Sequence, residues 1–205
     1  MRTISKWIVA ITVTTVVGGH QSANAGFVGL PQALGLAAKR ISFSNFTLPP
    51  MAFTQFCLRY ADQCKPARMV FRGGPARLTA ERWEDLKAVN KSVNAAIVPE
   101  PNTEGLAGEK WLIHPSRGDC NDYAVTKRSE LLDRGWPARA LLLSEVVTSW
   151  GEHHLVLVVR TSMGDLVLDN MTPQIRPWAR APYQWVRIQT PKNPNYWASL
   201  GSRNV

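Results

Sequence analysis

Gly118-Asp119-Cys120-Asn121-Asp122-Tyr123-Ala124 opens the stretch that decides this fold, and Leu166-Val167-Leu168-Asp169-Asn170 closes it. Asp119 is the expected N-cap of a helix running to Leu132, with Gly135 as its left-handed terminator and Pro137 just beyond. Capping at Asp119 puts Cys120 in the first turn, where free backbone N–H groups and the positive end of the helix dipole favour a thiolate. Ala124, Leu131 and Leu132 give this helix a partly buried face. After Pro137 the pattern changes to Leu- and Val-rich runs at 140–147, 155–159 and 166–168, which predict adjacent strands. Ser162-Met163-Gly164-Asp165 predicts a tight turn, so the last two runs form a hairpin. His154 begins one arm and Asp169 ends the other. A turn symmetric about that tetrapeptide sets Asp169 opposite Val158, on the face of His154 but about 13 Å from it at strand rise. Closing that gap calls for a bulge or a strong twist.

A helix-start thiol, a strand-start imidazole and a strand-end carboxylate are the parts of a nucleophile, its base and an orienting acid. Three segments carry a resemblance in the same order: the Cys120 segment, Gly151-Glu152-His153-His154-Leu155-Val156-Leu157, and Leu166-Val167-Leu168-Asp169-Asn170. Over roughly Leu86 to Ile188 the chain resembles the bacterial transglutaminase-like cysteine proteinases. The resemblance implies an α+β fold similar to papain and transglutaminase, with the nucleophile at a helix N-terminus packed on an antiparallel sheet. It makes Cys120 the nucleophile, His154 the base and Asp169 the orienting acid of a catalytic triad. Relatives that clip biofilm adhesins carry an acidic residue directly after the cysteine and bind calcium there. This chain has Asn121 at that position, leaving Asp119 and Asp122 as the candidate calcium ligands. The chemistry itself requires no cofactor.

Arg2, Lys6, the apolar run Trp7 to Val17 and Ala23-Asn24-Ala25 compose a secretory signal peptide over residues 1–25, with cleavage expected after Ala25. Residues 26–205 then suit a single domain of periplasmic or secreted location. No later run approaches the roughly 20 apolar residues needed to span a bilayer. The formal net charge is +9, from which the leader's Arg2 and Lys6 subtract two. Such a surface favours anionic partners, and export excludes nucleic acid. The expected partner is a protein substrate in the cell envelope, a large adhesin among the candidates, with an inner-membrane regulatory receptor implied by the resemblance.

Of the three cysteines, Cys57 and Cys64 close a short loop and are the natural disulfide pair in an oxidising compartment, leaving Cys120 as the free thiol. Residues 26–78, punctuated by Pro49-Pro50, Pro66 and Gly73-Gly74-Pro75, read as mostly loop with short elements around that bond. Thr79 caps a core helix whose stripe is Trp83, Leu86, Val89, Val93 and Ile97. Residues 99–117 form a connection able to line a cleft, with Trp111 as cleft wall or core and His114 as an ordinary loop histidine. Trp178, Tyr183, Trp185 and Trp197 are expected to pack in the interior, and 183–188 predicts a final strand. Zinc is not expected, since no CxxC or HExxH occurs. Two alternatives to peptidase action remain open here. One is transglutaminase-type transfer of the acyl group to an amine; the other is a non-catalytic, basic, envelope-binding domain.

Overall fold

The computed structural model describes residues 40–66 and 74–200; the expected leader lies outside them. In chain order the elements are β1 (Phe43–Thr47), α1 (Met51–Arg59), α2 (Ala80–Ala96), β2 (Val98–Pro99), α3 (Gly105–Gly108), β3 (Arg117–Gly118) and α4 (Cys120–Asp133). They are followed by β4 (Leu141–Val147), β5 (His153–Thr161), β6 (Gly164–Leu168), β7 (Arg176–Pro177), β8 (Gln184–Gln189) and β9 (Trp197–Leu200). Seven strands form one antiparallel sheet in the order β1-β9-β8-β4-β5-β6-β7, while β2 and β3 pair in parallel beside it. The α+β expectation holds.

The central strands are apolar without a polar alternate because both faces of the sheet are covered. Leu155, Leu157 and Val159 of β5 pack with Leu86, Val89 and Val93 of α2 and with Val125 and Leu131 of α4. Val156 and Val158 point the other way, to Val146, Trp178, Tyr183 and Ile188. Burying each such side chain contributes about 1.5–3 kcal/mol, so this run anchors the sheet.

The hairpin differs from its expected register. Thr161 pairs with Gly164 and Leu157 with Leu168, so the loop is the two residues Ser162-Met163. Gly164 takes φ 106°, and the Thr161 hydroxyl donates to Gly164 O at 2.7 Å while accepting from Met163 N at 3.1 Å. Moving the turn centre by one residue brings Asp169 two residues closer to His154, and the β5–β6 ladder runs without a bulge. A diagonal neighbour at that offset is within reach of long side chains.

Residues 43–59 supply the short elements expected around the disulfide. Pro50 stands at the N-cap of α1, where proline's missing N–H costs nothing, and Ala52, Phe53 and Phe56 are buried on its inner side. The outer face of β1 hid it in the sequence: four of its five residues are exposed, so no buried alternation marks it. It pairs with β9 at the edge of the sheet.

Candidate active site

The start of α4 is built by two aspartates. The Asp119 carboxylate caps the helix, accepting from Asn121 N at 2.9 Å and from the N–H of Asp122. Asp122 reaches back, its Oδ2 accepting from Asp119 N at 3.0 Å, which completes a capping box. Its Oδ1 accepts from Leu112 N at 2.7 Å, tying the preceding connection to the helix. Gly118 is required by this fold-back, since a Cβ there would lie 2.1 Å from Asp122 Oδ2. Burial pushes the Asp122 carboxyl up to about 6.

Cys120 is thus the first residue of α4, as expected, and it is a free, half-buried thiol. Its expected activation by the helix end is outweighed. Burial, opposed by the Leu155 N–H and reinforced by the charges of Asp119, Glu109 and Glu152, pushes the thiol up to about 12. The resting sulfur therefore keeps its proton and needs a base during attack.

That base stands at the start of β5. His154 Nε2 donates to Asp169 Oδ1 at 2.9 Å, with both side chains buried. Asp169, just past β6, also accepts from Met171 N at 3.0 Å and, through Oδ2, from the Tyr183 hydroxyl. Burial alone would raise the Asp169 carboxyl, but the His154, Tyr183 and Met171 hydrogen bonds hold it below its usual range. Burial and the carboxylate it serves push the Tyr183 phenol well above its ordinary value, so it remains a donor. The sequence marked Tyr183 as a packing residue, and pack it does, but its hydroxyl is part of the site. No local motif signals that pairing, because it joins residues 14 apart through the sheet.

His153 takes the opposite environment. Its Nδ1 lies 2.6 Å from Glu145 Oε1 on β4, and the Arg187 guanidinium from β8 holds the other Glu145 oxygen. His114, with φ 55°, binds Thr126 Oγ1 through its backbone N–H at 3.0 Å and lines no part of the cleft. Trp111 is both core and cleft wall, its indole N–H donating to Glu109 at 3.0 Å. The expected disulfide is present, Cys57 to Cys64 with Cα atoms 5.6 Å apart, and it ties the end of α1 to the following turn.

Two hollows meet at Cys120, His153 and His154. One, of about 390 Å³, is walled by Met51, Trp111, Glu145 and Arg187; the other, of about 570 Å³, by Pro99, Glu109, Asp119, Trp150 and Glu152.

Asp119 and Asp122 do not form a calcium cage on their own. Both Asp122 oxygens are taken by backbone N–H groups, one Asp119 oxygen serves the cap, and the Asn121 amide donates to Glu109. Among the described residues no group of three His, Cys, Asp or Glu side chains is gathered to hold a metal. No helix among them is long and apolar enough to cross a membrane.

The profile of the bacterial transglutaminase-like cysteine proteinases, BTLCP, matches residues 43–205, and the chain belongs to that family. Among solved structures it is similar to Legionella pneumophila LapG in its calcium-bound form, at 21% identity and a TM-score of 0.50, over 60% of this chain and 73% of that one. The EGTA-treated form of the same protein matches at 22% identity and a TM-score of 0.48, over 60% and 69%. The first likeness supports the fold, helices against an antiparallel sheet. No curated protein matches the sequence.

Proposed function

We propose that this bacterial transglutaminase-like cysteine proteinase cuts an internal peptide bond of an exported or surface protein with Cys120 as nucleophile, His154 as base and Asp169 as orienting acid. The observation that carries the reading is the buried His154–Asp169 hydrogen bond at a cleft shared with Cys120. Because Nε2–H is held by Asp169, Nδ1 is the bare nitrogen left for the thiol. His154 takes the Cys120 proton as sulfur attacks the carbonyl carbon, then gives it to the leaving amine as the C–N bond breaks. Water, losing a proton to His154, attacks the thioester; the acid leaves and the thiol is restored. Asp169 fixes the tautomer and stabilises the imidazolium.

The oxyanion is met by the Cys120 N–H. The capping box takes the N–H groups of Asn121 and Asp122, and Tyr123 N binds Asp119 O at 3.3 Å, so the first turn keeps that one donor free. Two hollows that share Cys120 give room for an extended chain, which suits an internal bond and a long substrate such as an adhesin. Export to the periplasm, and a regulatory receptor in the inner membrane, belong to the same proposal through the leader and the family. Calcium, bound in the solved relative, would meet here the Asp119 carboxylate beside an amide, and no step above runs through it.

Envelope proteins incubated with wild type and with Cys120→Ala, then mapped by mass spectrometry, test the reading. New termini with wild type alone are expected. Glutamine–amine cross-links without new termini would replace hydrolysis by transamidation.

A further inference from the structure

Two cations sit side by side in the middle of α4, both almost fully buried, and they are treated differently. Arg128 is satisfied: Nε donates to Leu141 O at 3.2 Å and Nη1 to Gln63 Oε1 at 2.8 Å. Lys127 Nζ has no hydrogen-bond partner, only the Tyr123 ring with its centroid 6.0 Å away. A buried ammonium without partners costs several kcal/mol, so its retention calls for a cause. Three buried side-chain oxygens are orphaned as well, those of Asn90, Asn94 and Asn170.

The three asparagines converge on one segment, and Lys127 faces it through Tyr123, whose hydroxyl donates to Ile97 O at the end of α2. Asn90 and Asn94, one turn apart on α2, donate their amides to Pro173 O at 3.1 Å and Asp169 O at 2.9 Å. Asn170 follows Asp169 directly, and α2 packs on α4. The charge acting on Lys127 is the Asp169 carboxylate, which opposes the burial that draws the ammonium down to about 7. One donor group with three protons and three carbonyl-type acceptors are complementary, and water bridges such groups in protein interiors.

We propose that Lys127, Asn90, Asn94 and Asn170 form a buried hydrated cradle beneath the 169–173 segment, in which the Lys127 ammonium positions the Asp169 carboxylate for His154. Lys127 is then a positioning residue, acting through Asp169 and not on the substrate. The inference rests on the triad reading above.

Two measurements test it. A high-resolution crystal structure of the wild type is expected to show ordered water joining Lys127 Nζ to at least two of the three amide oxygens; a dry cluster overturns the cradle. Lys127→Met keeps the stem and removes the charge. In the wild-type background it should lower kcat roughly tenfold at unchanged KM, the scale of coupling within one polar network. In an Asp169→Asn background it should change nothing further. An equal loss in both backgrounds, or no loss in the wild-type background while Asp169→Asn is impaired, overturns the positioning role and leaves the triad standing. Full activity of Asp169→Asn itself would instead remove the triad reading.

Discussion

Strand β5 carries two histidines in succession, each beside a carboxylate, and burial separates them. The His154–Asp169 side chains are 6% and 3% exposed, whereas His153 is 68% exposed over a Glu145 shared with Arg187. Alternation along a strand sends neighbours to opposite faces, so one pair is enclosed with Tyr183 and the other lies on the rim. Enclosure raises the electrostatic value of every contact and leaves one imidazole nitrogen committed, while the rim pair is screened by water. A histidine–carboxylate contact is therefore not in itself a catalytic sign; its burial and its third partner are.

The sharpest break of this comparison is to remove each imidazole. His154→Ala should lower kcat/KM by at least about 10⁴, the scale on which triad members act as a unit. His153→Ala should stay within roughly threefold, since a screened surface pair contributes little. Steady-state cleavage of a fluorogenic peptide measures both, and a reversed order would exchange the roles.

Asp169→Asn comes next, with an expected loss of about 10³–10⁴ in kcat from the wrong tautomer. The same change sharpens the stability contrast. Asp169 is held below its ordinary value when folded, so its contribution is fully present above the unfolded value of 3.8 and is lost as pH falls through the lower folded value. Wild type should thus lose stability in that acid window by a term that Asp169→Asn lacks, as pH-dependent thermal melts would reveal.

Tyr183→Phe removes one donor to Asp169 and keeps the ring among its neighbours. Roughly a tenfold fall in kcat is expected, equal to about 1.4 kcal/mol and at the lower edge of what a hydrogen bond to a charged group contributes. An unchanged rate would make Tyr183 packing only.

The smallest effect on the comparison comes from the disulfide at the end of α1. Replacing Cys57 and Cys64 by serine should cost about 2–3 kcal/mol of stability by loop closure, read from denaturant melts, with turnover of the folded fraction preserved. A lost activity in fully folded protein would tie that loop to the cleft.

Much of this was legible in the sequence because it is local. Asp119 before Cys120, Gly135 and Pro137 wrote the nucleophile helix, and Thr79, whose hydroxyl accepts from Arg82 N at 3.3 Å, wrote the start of α2. What escaped is non-local. The register that closes His154 onto Asp169 depends on which two residues form the loop, and Ser162-Met163-Gly164-Asp165 admits two centres. Tyr183 and the two α2 asparagines reach Asp169 and the segment after it only when sheet and helices assemble, so no spacing announces them. The pKa of Cys120 belongs to the same class, since burial and the charges of Glu109 and Glu152 reach it from outside its helix.

The central claim is that Cys120 carries the acyl group and that His154, not His153, puts it there. Rapid acid quench of enzyme mixed with a peptide substrate, followed by intact-mass and peptide mapping, tests it directly. The expected result is an adduct of the acyl fragment's mass on Cys120 in wild type and His153→Ala, and none in His154→Ala or Cys120→Ala. An adduct on another residue, or new peptide termini from Cys120→Ala, would contradict the account.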